Sequence, residues 1–145
     1  MLKHVFDHLC FTFVVIIKCS LYAYRFQNMS DSLDGQIIDW HEEAEAVIRD
    51  VGFAVKSISI SSNLPSSQTE VYFNIETREG KKICVELSSY GFKVVADNFD
   101  TVVEGFQDQT YYETPYALLD KYSNQFRECF AAALEKKLSC LSDLS

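Results

Sequence analysis

Basic charge, histidine and paired cysteines are all scarce in this sequence, and each scarcity removes a class of function. Thirteen Lys and Arg stand against 21 Asp and Glu in 145 residues, a net charge of −8. A nucleic-acid reader needs a basic face to displace counterions from phosphates, and an anionic membrane repels a chain of this charge, so the balance argues against both. The three histidines, His4, His8 and His41, fit no finger, ribbon or HExxH spacing, and no metal or cofactor is expected. His4 and His8, four apart, read as two solvated side chains. The five cysteines, Cys10, Cys19, Cys84, Cys129 and Cys140, are odd in number and widely spaced, with no CxxC pair. That is the pattern of reduced intracellular thiols and not of a disulfide framework. Five glycines scattered singly supply no dinucleotide fingerprint, phosphate-binding loop or GxSxG elbow.

What is present is an ordinary globular composition, 48% apolar and 23% charged, in a length that suits one domain with a genuine core. Residues 1–28 differ from the rest. Their apolar run, Leu9 to Ile17, is nine residues long against the about 20 needed to span a bilayer. It reads as an h-region or signal anchor, or as upstream translation ahead of a working start at Met29, and the composition break favours the last. Residues 29–38 are a polar flexible segment, and residues 39–145 form the expected domain.

Asp39 with Glu42 three residues on makes a capping box, and Trp40, Ala44, Val47, Ile48, Val51, Ala54 and Val55 recur at helical spacing behind it. Gly52 sits inside that pattern at a cost of about 1 kcal/mol relative to Ala, so the helix is expected to fray beyond it or to let another element approach closely. Ser57–Ser61 alternates with period two. Val71, Phe73 and Ile75, then Ile83, Val85 and Leu87, alternate with polar neighbours as half-buried antiparallel strands, joined at Arg78-Glu79-Gly80-Lys81. Phe92–Ala96 reads as the next strand, and residues 97–112 mostly as loop. Thr114-Pro115 opens one helix, and Ser123 is expected to cap a longer one, of about 28 Å to Leu141. The expected fold is therefore α+β: an N-terminal helix, an antiparallel meander of about four strands, and two C-terminal helices covering one sheet face.

Catalytic chemistry finds little to work with. Cys84 or Cys129 with His41 would make a thiol and a base, yet both cysteines lie in elements patterned for packing. Glu76 and Glu86 would make an acid pair if they faced each other across the hairpin, although two such residues on a strand pair are usually solvated. No enzyme is expected.

The order of several motifs says more. His41-Glu42-Glu43-Ala44-Glu45-Ala46-Val47-Ile48-Arg49-Asp50-Val51-Gly52-Phe53-Ala54-Val55 resembles a helix of the glycogen synthase kinase-3 interaction protein family, whose domain recurs near the N-terminus of clustered-mitochondria proteins. Asn74–Glu79, Cys84–Leu87, Gly91–Val95, Phe99-Asp100, Tyr112–Asp120 and Phe126–Leu134 follow in the family's order, so that the resemblance spans about residues 41 to 141. It implies a cytoplasmic and also nuclear adaptor of Wnt signalling that binds and inhibits glycogen synthase kinase-3 by laying its last helix in a groove. Phe126, Phe130, Leu134, Leu138 and Leu141 are the implied kinase-binding residues, with Leu138 matching the leucine on which binding depends. Read alone, the same stripe would cover the sheet: Phe126 and Phe130 are expected in the core, and Leu138 and Leu141, near the chain end, to project beyond the sheet. The resemblance further implies anchoring of the regulatory subunit of cyclic-AMP-dependent protein kinase along Val47, Ile48, Val51 and Val55, although Gly52 stands where the family has a leucine and the pattern itself favours packing of this ridge against the domain's own sheet. The alternative is an interaction domain of the clustered-mitochondria type with a ribonucleoprotein or mitochondria-linked partner, against which the end of the chain just after the last helix is expected to count.

Overall fold

The computed structural model describes residues 39–142, without the side chains of Lys137, Leu141 and Ser142; the leader and the polar segment lie outside the described residues. Asp39, extended, accepts hydrogen bonds from the amides of His41 and Glu42 at 3.0 and 3.3 Å and so starts α1, Trp40–Val51. Two of the helix's orphan amides are satisfied this way. Trp40, Ala44, Val47 and Val51 form its buried stripe. The indole of Trp40 donates to the Gln68 carbonyl at 2.6 Å, pinning the helix start to the loop ahead of β2.

The α-helix stops at Val51, at the glycine beyond which fraying is expected, and Gly52–Ala54 tighten into a 3-10 turn. Gly52 weakens the helix there. Ile58 also passes close by, its Cγ2 lying 3.8 Å from where a Gly52 Cβ would stand. The tighter turn carries Ala54 and Val55 into the core before β1 begins.

Strands β1 (Ser57–Ile60), β2 (Glu70–Glu76), β3 (Lys82–Ser88) and β4 (Gly91–Ala96) form one antiparallel meander in the order β1-β2-β3-β4. Period-two alternation sets which face each side chain takes. Val71, Phe73, Ile75, Ile83, Val85, Leu87, Phe92 and Val94 face the helices and belong to the main core. Tyr72, Cys84, Val95 and Ala96 form a smaller cluster with Leu64 against them. Between Cys84 and Val85 the pairing with β4 jumps from Ala96 to Val94, which leaves Val95 as the inserted residue of a bulge. The register keeps Glu76 and Glu86 apart. Glu86 stands opposite Tyr72, while Glu76 stands opposite Lys82 and binds Lys56 at 2.9 Å.

Gly91 has φ 112°, and a Cβ there would fall 2.5 Å from the Tyr112 carbonyl oxygen. Only glycine admits that approach, which lets Phe92 and Tyr112 exchange backbone hydrogen bonds of 2.8 and 2.7 Å. Helix α2, Pro115–Tyr122, starts as expected, with the Thr114 hydroxyl accepting from the Ala117 amide at 3.1 Å. Ser123 does not cap the next helix: its amide donates to the Leu119 carbonyl at 2.8 Å and closes α2. Helix α3 runs from Phe126 to Ser142.

Candidate functional site

Helix α3 changes environment along its length. Phe126 is fully buried and Phe130 is 4% exposed. Their rings lie 5.9 Å apart and pack on Tyr116 of α2 at 6.4 and 5.5 Å. Phe53 of the 3-10 turn closes over Phe130 at 5.7 Å. Aromatic contacts of this kind supply both buried area and orientation. Further along, Leu134 is half-buried and Leu138 is 49% exposed. From Phe130 to the end of α3 the helix extends about 18 Å.

Polar contacts fix the rooted end. Glu79, at the β2–β3 hairpin, accepts from the Ser123 hydroxyl at 2.9 and 3.0 Å and from the Gln125 amide at 2.6 Å. Burial pushes its carboxyl up, but these donors outweigh it and hold the group below the usual range. An anion at a helix N-terminus also meets the positive end of the peptide dipoles. Arg127 grips Asp120 of α2 through two bonds of 3.1 and 2.8 Å. A cap supplied from more than forty residues away thus replaces the local one expected at Ser123.

Two further networks stiffen the frame. Asp100, at φ 52°, accepts from Ser61, from Asn63 at 2.9 Å and from Asn74 at 2.7 Å, while its own amide donates to Asn74 at 2.9 Å. The Ser61 hydroxyl first, then Asn74, holds its carboxyl down. Asp108 accepts from the hydroxyls of Tyr112 and Tyr122 at 2.7 and 2.8 Å and from the Thr110 amide at 2.9 Å. Burial works against ionisation there, but these donors keep the carboxyl ionised. The Tyr112 phenol is pushed up to about 12, by burial first and then by Asp108. The partners of Asp100 lie up to 39 residues away, so the sequence marks the residue only through the Phe99-Asp100 motif and not through its role.

The remaining candidate residues do not assemble a reactive site. Cys84 is buried, and burial first raises its thiol above the ordinary value. A protonated, desolvated thiol is a poor nucleophile. His41 is exposed at the start of α1, and Cys129 is half-buried in α3. Among the described residues no three His, Cys, Asp or Glu side chains are grouped to hold a metal ion. Nor is any helix there long and apolar enough to cross a membrane. Of the proposed anchoring ridge, Val47, Val51 and Val55 are buried in the main core and Ile48 packs against it.

A four-stranded meander covered by helices, with a last helix rooted at one end and exposing a leucine near the other, defines a small α+β domain whose distinguishing surface is a helix. The GSKIP domain matches residues 40–141, and the chain belongs to that family. It is 47% identical over 107 residues to the GSK3-beta interaction protein of Danio rerio, covering 74% of this chain and 80% of that one. The GSK3-beta interaction protein of Gallus gallus is 42% identical over 111 residues, with 77% and 79% covered. The GSK3B-interacting protein of Homo sapiens is 43% identical over 103 residues, with 71% and 73% covered.

Proposed function

We propose that this chain is a non-enzymatic adaptor that binds glycogen synthase kinase-3 and restrains it, acting in the cytoplasm and nucleus as part of Wnt signalling. The observation that carries the reading is the division of α3: Phe126 and Phe130 hold the helix to the core, and Leu138 stands half in solvent on its continuation. An amphipathic helix docks in a groove through residues spaced at i, i+4 and i+7 or i+8. Leu134, Leu138 and Leu141 carry that spacing, with Leu138 central. Phe126 and Phe130 contribute by aiming the helix, since a buried ring cannot enter a partner's groove while the domain stays folded. The names of the relatives support glycogen synthase kinase-3 as the partner. Regulatory-subunit anchoring is not part of the proposal, because the core already occupies Val47, Val51 and Val55.

Calorimetric titration of the full chain into the purified kinase, with Leu138→Ala in parallel and a substrate-phosphorylation assay alongside, tests this. Saturable binding that slows phosphorylation, and that is lost in a variant melting like the wild type, is the expected result. A folded wild type that gives no binding overturns it and moves the assignment to an interaction domain of the clustered-mitochondria type.

A further inference from the structure

The two edges of the sheet are treated differently. At β4, Phe92 exchanges backbone hydrogen bonds with Tyr112, the Val95 carbonyl accepts from the Val103 amide at 2.9 Å, and the Val95 bulge breaks the strand's regularity. Pairing and bulging are both ways of closing an edge. At β1 no described element pairs with the outer edge, and the only irregularity among the described residues lies just ahead of the strand, where the Lys56 amide donates to the Glu76 carbonyl at 2.9 Å beside Ser57. The Ser61 amide donates to the Tyr72 carbonyl at 2.8 Å, and with Ser57 opposite Glu76 and Ser59 opposite Asn74, the odd-numbered residues direct their backbone groups to β2. The N–H and C=O groups of Ile58 and Ile60 therefore point away from the sheet. No backbone hydrogen bond from another described element reaches them. The strand also carries no proline and no charge, and no charged residue occurs from Ser57 to Thr69.

We infer that β1 is the pairing edge for a second copy of this chain, two β1 strands meeting antiparallel about a two-fold axis at Ser59 and joining two four-stranded sheets into one. In that register Ile58 of each copy faces Ile60 of the other, so the outward groups satisfy each other in about four hydrogen bonds. The isoleucines meet on the helix-covered side and the serines on the other, as the alternation requires. A second copy is the occupant because the seam is self-complementary. The side chain that meets itself on the axis is small, uncharged Ser59, and the net charge of −8 is not confronted where the copies join. Outside the strand the charges complement. The Lys56 side chain, 62% exposed and on the same sheet face as Glu76, comes to the end of the other copy where Asp100 binds Ser61 and Asn63. The symmetry makes that approach twice. A seam this short gives a weak, concentration-dependent dimer.

Sedimentation equilibrium of the full chain, up to about 1 mM protein, reads the association directly. The wild type is expected to rise toward twice the monomer mass with concentration, while exchange of the Ile58 and Ile60 amides slows in step. Ser59→Lys and Ser59→Glu each place like charges face to face on the axis and should weaken association about fivefold or more, with unchanged melting. A one-to-one mixture of the two variants should restore it, and Lys56→Glu should weaken it. A wild type that stays monomeric throughout overturns the inference, whether its Ile58 and Ile60 amides exchange freely or are protected by some other segment of the chain. Association equal to wild type in both Ser59 variants overturns it as well.

Discussion

The two halves of α3 carry one apolar stripe into two environments. In the first half the stripe meets Tyr116 of α2 and Phe53 of the 3-10 turn, and Phe126 and Phe130 disappear into the core. In the second half the core has run out, and Leu138 is left 49% exposed on the same helix. Helical periodicity records that a face is apolar, not what covers it. What covers it is decided by where neighbouring elements stop.

The contrast is broken most severely from the rooted side. Phe126→Ala removes a fully buried ring and should cost about 3–5 kcal/mol in denaturant unfolding, with kinase binding lost only as far as the protein unfolds. A stable Phe126→Ala protein that no longer binds would place the docking face on the wrong half. From the free side, Leu138→Ala should reduce affinity by about 1–3 kcal/mol in calorimetry, and its unfolding free energy should stay within about 0.5 kcal/mol of wild type. If instead its melting falls sharply, Leu138 is core and the two halves are not distinct.

Asp108 sharpens the comparison through α2, the support for the rooted half, because it binds Tyr122 at the end of that helix. Asp108→Asn should destabilise the domain by about 1–3 kcal/mol at neutral pH, read by urea denaturation. The sign of its pH dependence follows from a carboxyl held lower in the folded state than in the unfolded one. In acid the unfolded chain takes up this proton first, so the Asp108 contribution is complete above about pH 4 and is lost as pH falls through the folded-state value. The Asn variant should lack that part of the acid slope, and a variant with the wild-type slope would remove Asp108 as its source. Glu79, also held low, contributes with the same sign.

The smallest effect is expected at Gly52, in the turn that seats Phe130 through Phe53. Its φ of −56° suits any L-residue, and an added Cβ would make an ordinary 3.8 Å contact with Ile58. Gly52→Ala should raise stability by about 0.5–1 kcal/mol in thermal melts and leave kinase affinity unchanged. A loss of stability would mean that the 3-10 turn needs glycine for a reason other than helix propensity.

Much of the architecture was legible because it rests on local signals. Asp39 and Thr114 cap the helices they precede, Gly80 at φ 87° turns the β2–β3 hairpin, and alternation places Val71, Phe73 and Ile75 against Ile83, Val85 and Leu87. Ser123 shows the limit of such signals. A serine ahead of an apolar periodic run reads as an N-cap, yet its amide ends α2 and its hydroxyl serves Glu79. The separation of Glu76 from Glu86 agrees with the sequence reading that set the acid pair aside, and it follows from a register that turn and core fix together. Of the candidate site, the leucine stripe was visible as a pattern. The burial of Phe126 and Phe130, and of the Val47, Val51 and Val55 ridge, was also expected from the pattern, whereas the rings of Tyr116 and Phe53 that cover the phenylalanines depended on tertiary packing.

By itself the sequence determined the α+β class, the order of the elements and the family motifs, because propensity, capping and periodicity act over a few residues and leave their mark in short windows. Tertiary structure alone decided that Glu79 would cap α3, that Asp100 would gather donors from Ser61, Asn63 and Asn74, and that β4 would be covered while β1 lies open among the described residues. Those contacts join residues far apart in the chain. Their energy depends on distances that exist only once the sheet and helices have packed, so no local pattern could have recorded them.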